Sequence, residues 1–161
     1  MAGFIGAGLY TSAMENWQAN IIEDAEQIRA LLAQTRTIAV LGIKTEEQSD
    51  QPAFYVAEYL DSAGFEVIPV PVYYPEATAI LGRKVYRKLS EIPGDVDLVD
   101  VFRRGSDVPG HLADILAKRP KAVWLQSGIR NDEVARRLAE SGIKVVQNRC
   151  LMVEHRRLAG R

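Results

Sequence analysis

The side chains that could do chemistry cluster at a few short stretches. Gly42 and Lys44 follow one apolar run, Arg103 and Arg104 follow another, and Gln126, Ser127 and Gly128 follow a third. Asn148, Arg149 and Cys150 follow the last. These stretches supply cations, amides and glycines, but few groups able to move a proton. Such a set suits an anionic, nucleotide-like ligand: arginine grips phosphate in a fork, and glycine lets the backbone come close. Cys150 is the only thiol; it stands beside a cation, which favours thiolate, and five residues before His155. A buried, inert role is the alternative for a single cysteine. His111 falls in a helical pattern. Two histidines and one cysteine make a poor zinc set, and no metal is expected.

Each cluster stands where a buried strand hands over to a helix. Ile38 to Leu41 is an apolar run ending on Gly42; after a polar loop, Lys44 to Gln51, Pro52 opens a helical pattern carried by Phe54, Val56, Ala57, Tyr59 and Leu60. The helix start should direct backbone N–H groups at that loop, which can hold a phosphate. Its acids, Glu46, Glu47 and Asp50, repel a phosphate unless they point away. Further strands are read at Phe65–Val70, Val96–Phe102, Lys121–Leu125 and Ile143–Val146. Pro69 is expected to lie outside the central hydrogen bonding. Asp97 and Asp100 suggest that the third strand is less buried than the first.

Helices are expected over Asn16–Ala33, after Ser106 as N-cap, over Asp132–Glu140 behind Asn131, and over Leu151–Leu158. Tyr73, Tyr74 and Tyr86, and the cations Arg83, Lys84, Arg87 and Lys88, are open to a ligand role or a packing one. Strands alternating with helices give an α/β fold: one Rossmann-like, doubly wound sheet, mainly parallel, of about five strands with helices on both faces. Ligands of such sheets bind at the carboxyl ends of the strands.

The chain has 161 residues, 47% of them hydrophobic, enough for one core. A formal charge of -1 gives no basic field for nucleic acid. Met1 to Met14 lacks the charged start of a signal peptide and is read as a tail. No run reaches the roughly 18 apolar residues of a membrane helix, and a cytoplasmic, membrane-free location is expected. The dinucleotide fingerprint G-x-G-x-x-G is absent: Gly42 is followed by I-K-T-E-E, and Glu66 comes too early to bind a ribose.

The segments T-I-A-V-L-G (from Thr37), Y-V-A-E-Y-L (from Tyr55), G-F-E-V-I-P-V (from Gly64), D-L-V-D-V-F-R-R (from Asp97), A-V-W-L-Q-S-G-I (from Ala122) and N-R-C-L-M-V-E-H-R-R-L (from Asn148) closely resemble bacterial and archaeal CoA-binding domain proteins of the YccU type. These in turn look like the isolated CoA-binding domain of the succinyl-CoA synthetase alpha subunit. The resemblance covers about residues 24 to 158. With the tail read over residues 1–14, it implies a CoA-binding, Rossmann-like domain over 15–161. It implies coenzyme A as ligand, with Gly42, Ile43 and Lys44 on the pantetheine–phosphate side. Val70, Pro71 and Val72 would lie by the adenine and ribose, Val101, Phe102 and Arg103 would form the next wall, and Gln126, Ser127 and Gly128 the crossing loop; Arg104 is added from the residues themselves, as a cation able to hold a phosphate with Lys44 and Arg103. Cys150 matches the family's cysteine.

The expected function is binding of CoA or an acyl-CoA, without catalytic residues or turnover of its own. A homo-oligomer or a protein partner is compatible with it. An NAD(P)-dependent oxidoreductase and a ligand-free regulatory or scaffold protein are the alternatives.

Overall fold

The computed structural model describes residues 16–159; the tail read over 1–14 lies outside them. Five parallel strands form the main sheet: β1 (Thr37–Leu41), β2 (Glu66–Val70), β5 (Leu98–Val101), β6 (Ala122–Leu125) and β7 (Lys144–Val146). Their spatial order is β2-β1-β5-β6-β7. A separate hairpin joins β3 (Ala79–Ile80) to β4 (Arg83–Lys84). Among the described residues, five α-helices accompany the strands: α1 (Ala25–Ala33), α2 (Pro52–Ser62), α3 (Leu112–Lys118), α4 (Asp132–Glu140) and α5 (Leu151–Ala159).

Strand alternation sorts the apolar side chains onto two faces. Ile38, Val40, Val67, Leu98 and Trp124 pack under α1, α2 and α5. Ala39, Leu41, Val99, Val101 and Val123 pack against α3, α4 and the segment around Leu89–Val96. Both faces are therefore covered, as a parallel sheet of this kind requires. The chain adds β2 on one side of β1 and then returns to add β5 on the other. The strand order thus reverses between β1 and β5, the place where such sheets open a ligand crevice.

Several local expectations are corrected. The helix read over Asn16–Ala33 is broken: a 3-10 turn, Trp17–Asn20, and then α1, capped by Asp24, whose Oδ1 accepts from Gln27 N–H at 2.8 Å. Between them Ile21 bridges to Val145 and Ile22 N–H donates to Val145 O at 2.8 Å. The apolar spacing that mimics one long helix is an edge segment followed by a shorter helix.

Pro69 lies inside β2, in register with Val40. It is tolerated because β2 is the sheet's edge and Pro69 O faces outward, accepting from Tyr86 N–H at 3.0 Å. β5 is fully buried, and Asp100 is buried with it. Asp97 precedes the strand and accepts from Arg36 and Thr37 N–H at 2.8 and 3.1 Å. Ser106 caps nothing: a 3-10 turn, Val108–His111, leads into α3. The Asn131 cap is as expected, its Oδ1 accepting from Val134 N–H at 3.0 Å.

Candidate functional site

The reversal point is built by backbone. Gly42 N–H donates to Val70 O and Phe102 N–H to Leu41 O, both at 2.8 Å, so the exits of β2, β1 and β5 lie side by side. Gly42 has φ +88°, and a Cβ there would overlap Phe102 O. Glycine serves for both reasons. Gly105 is a second close approach, with a would-be Cβ against Arg130 O. It lets the loops after β5 and β6 meet.

Above these exits is a cleft of about 660 Å3. Of the residues expected at the site, Lys44, Phe102, Arg103, Arg104, Gln126, Ser127, Gly128 and Cys150 line it. Gly42, Ile43, Val70, Pro71 and Val72 do not line it. Gly42 underlies it, and Ile43, Val70 and Pro71 are buried. Val72 packs against the α3/α4 face of the core. Ile43, Val70 and Val72 sit at strand ends but turn their side chains to the core, whereas Phe102 at the end of β5 lines the cleft. Gln51, Pro52, Ala53, Tyr55 and Val56 also line the cleft. They were legible only as the start of a helix.

Arg103 is the best-placed cation. Its side chain is only 15% exposed. Its Nε donates to His111 Nε2 at 3.2 Å, Nη1 reaches Tyr73 Oη at 3.4 Å, and Nη2 stands 3.8 Å from Asp107. The Tyr73 ring lies beneath the guanidinium, 5.5 Å from its centroid. Burial, and then the Arg103 charge, hold His111 below its ordinary pKa, consistent with a neutral ring accepting at Nε2. His111 thus aims Arg103, a role that its place in a helical pattern does not reveal. Arg104 is 82% exposed and bonds Asp107 at 2.8 Å. That bond holds the Asp107 carboxyl below the usual carboxylate range.

The first loop turns its acid away. Glu46 Oε2 accepts from Leu81 N–H at 2.9 Å, over the hairpin, while Lys44 Nζ donates to Gln51 Oε1 on the cleft side. None of Glu46, Glu47 and Asp50 lines the cleft. The helix start is less open than expected, because Phe54 and Tyr55 N–H both donate to Gln51 O and Pro52 has no N–H.

The crossing loop is clamped. Gly128 N–H donates to Asn148 Oδ1 at 2.7 Å, and Asn148 N–H to Ile129 O at 3.2 Å. Gln126 is buried; its Nε2 donates to Asp100 Oδ2 at 3.0 Å and its Oε1 accepts from Leu151 N–H at 3.2 Å. Cys150 is half-buried at the start of α5. His155 faces elsewhere: its Nδ1 is 2.7 Å from Tyr59 Oη, and its ring packs edge-on to Tyr59 and Phe65. Of the cations near the hairpin, Arg83 and Arg87 are engaged within the fold and Lys84 lies over the Tyr86 ring. Arg83 pairs with Asp61 at 2.7 Å, and Arg87 donates to the carbonyls of Tyr73, Tyr74, Pro75 and Ala77.

Residues 36–156 match the model of the CoA binding domain family described as CoA_binding_2. The chain belongs to this family. YneT of Bacillus subtilis (strain 168) is 34% identical over 129 residues, covering 80% of this chain and 92% of that protein. The structure of cell-free ID.343 from Thermus thermophilus is 43% identical, covers 84% of this chain and 99% of its own, and superposes with a TM-score of 0.77. A dinucleotide-forming acetyl-coenzyme A synthetase 1 of Ca. Korarchaeum cryptofilum is 24% identical over 68% of this chain and 25% of its own, with a TM-score of 0.58. That last likeness is one of fold. The chain is thus a Rossmann-like CoA-binding domain. No helix among the described residues is long and apolar enough to cross a membrane.

Proposed function

We propose that the protein binds coenzyme A or an acyl-CoA in the cleft at the carboxyl ends of β1, β5 and β6, and that it does so without turnover of its own. The observation that carries this reading is the pairing of a CoA-binding family match over residues 36–156 with a cleft at the strand-order reversal that presents Lys44, Arg103 and Arg104. The phosphates face these cations. Arg103 binds in a set orientation because His111 and Tyr73 already hold it. The pantetheine arm runs past Phe102 toward Gly128, and the thiol end comes to Ser127 and Cys150. Binding asks for little more than such cations and loops; a general base beside the thiol end is not needed.

The test is equilibrium titration of CoA into wild type and Arg103→Ala. The substitution weakens binding by about 1 to 3 kcal/mol, the range for a charged hydrogen-bond partner, in a protein whose circular dichroism is unchanged. Equal affinities in the two proteins remove Arg103 from the site.

A further inference from the structure

The cleft has a neighbour. A second cavity, of about 450 Å3, opens beyond the carboxyl end of β7. Its wall includes Glu23, Arg130, Gln147, Arg149 and Glu154. Ser127 and Cys150 line both spaces and are where the two meet. The segment Ile21–Glu23, tied to Val145, closes its outer side.

The charges in this wall are unevenly neutralised. Arg149 Nη2 donates to Glu23 O at 2.7 Å, and its Nη1 reaches Glu154 Oε1 at 3.5 Å. Arg157 reaches that same oxygen at 3.3 Å, so one carboxylate is shared by two guanidinium groups. Arg130 is paired with Asp132 at 3.0 Å, but the two side chains are 60% and 73% exposed. A pair so exposed is weak, and Arg130 can exchange it for a better partner. Arg130 therefore offers an anion its two Nη groups, which have no hydrogen-bond partner among the described residues, while its Nε is on Asp132.

We propose that this second cavity receives the acyl group of an acyl-CoA, and that the groups it favours are short and end in a carboxylate. The proposal rests on the reading of the larger cleft as the CoA site. With the thioester at Ser127 and Cys150, the acyl chain has the second cavity ahead of it. An apolar chain there would take water from Arg149, Glu154 and Gln147 and return no hydrogen bond. A carboxylate gains charge-assisted bonds from Arg130 instead.

The experiment compares CoA, acetyl-CoA, butyryl-CoA and succinyl-CoA by titration calorimetry. Succinyl-CoA is expected to bind about tenfold more tightly than butyryl-CoA, a chain of the same length without the charge. Arg130→Ala, at an exposed side chain, is expected to bring that ratio near one, and Arg130→Lys to restore part of it. Equal affinities for the two esters, or tighter binding of butyryl-CoA, overturn the proposal while leaving the CoA reading in place. So does a ratio that survives Arg130→Ala. Failure of all four ligands to bind overturns the CoA reading, and this proposal falls with it.

Discussion

At the residue scale, Asp100 carries a carboxyl into the core face beneath α2 and α5, with no exposed surface. Gln126 donates to one oxygen; the other, Oδ1, has no hydrogen-bond partner among the described residues. Burial pushes its pKa up from 3.8 to about 8, against a smaller opposing effect of the Gln126 bond. The folded protein therefore holds a proton that the unfolded chain releases near pH 4. Between that value and about 8 the native state binds more protons than the unfolded one, so this group makes stability fall as pH rises. Asp100→Asn removes the slope. Its stability relative to wild type, measured by urea unfolding, should improve from pH 4 to pH 8. A difference constant across that range would show that Asp100 does not titrate in this way.

Cys150 belongs to the same scale. If the thiol end of CoA reaches it, CoA disulfide should modify it: the Cys150 thiolate attacks one sulfur, a protein–CoA disulfide forms, and one CoA thiolate leaves. Intact mass should show an adduct that dithiothreitol reverses and that Cys150→Ala lacks. Absence of the adduct at every pH tried would place the thiol end elsewhere.

At the element scale, the site depends on three strand exits meeting at a residue without a side chain. Gly42→Ala puts a Cβ onto Phe102 O at a φ of +88°, so it should destabilise the fold by about 1 to 3 kcal/mol. Denaturant unfolding measures this, and an unchanged midpoint would contradict the close approach. The strands with continuous apolar runs, β1 and β6, were legible because both faces of a parallel sheet are buried, and so was the Asn131 cap. Asp100 misled because an acid in a strand reads as exposure, whereas here burial is met by protonation and one amide. The Asn16–Ala33 helix misled because Ile21 and Ile22 serve a sheet edge at a spacing that a helix shares. The hairpin was unread because two short strands turn at Leu81 and Gly82, both at positive φ, with no period long enough to detect. Among the expected site residues, Lys44, Arg103, Arg104, Gln126, Ser127 and Gly128 stand along the cleft, whereas Asn148 and Arg149, at the end of β7, line the neighbouring cavity. Of the apolar ones, Phe102 lines the cleft, while Ile43, Val70 and Val72 pack into the core.

At the scale of the whole molecule, a net charge of -1 means that an anionic ligand is drawn by local rather than global field. The fold concentrates Lys44, Arg103 and Arg104 at one edge of the sheet and turns Glu46 toward the hairpin. The same edge has no second or third glycine of the dinucleotide fingerprint, and no acid at the end of β2 for a ribose. On the proposed reading, this edge is built for CoA. The most direct measurement is calorimetric titration of the purified protein with CoA and, in parallel, with NAD. Saturable binding of CoA with no heat from NAD is the predicted result. Binding of NAD, or of neither ligand, would contradict it.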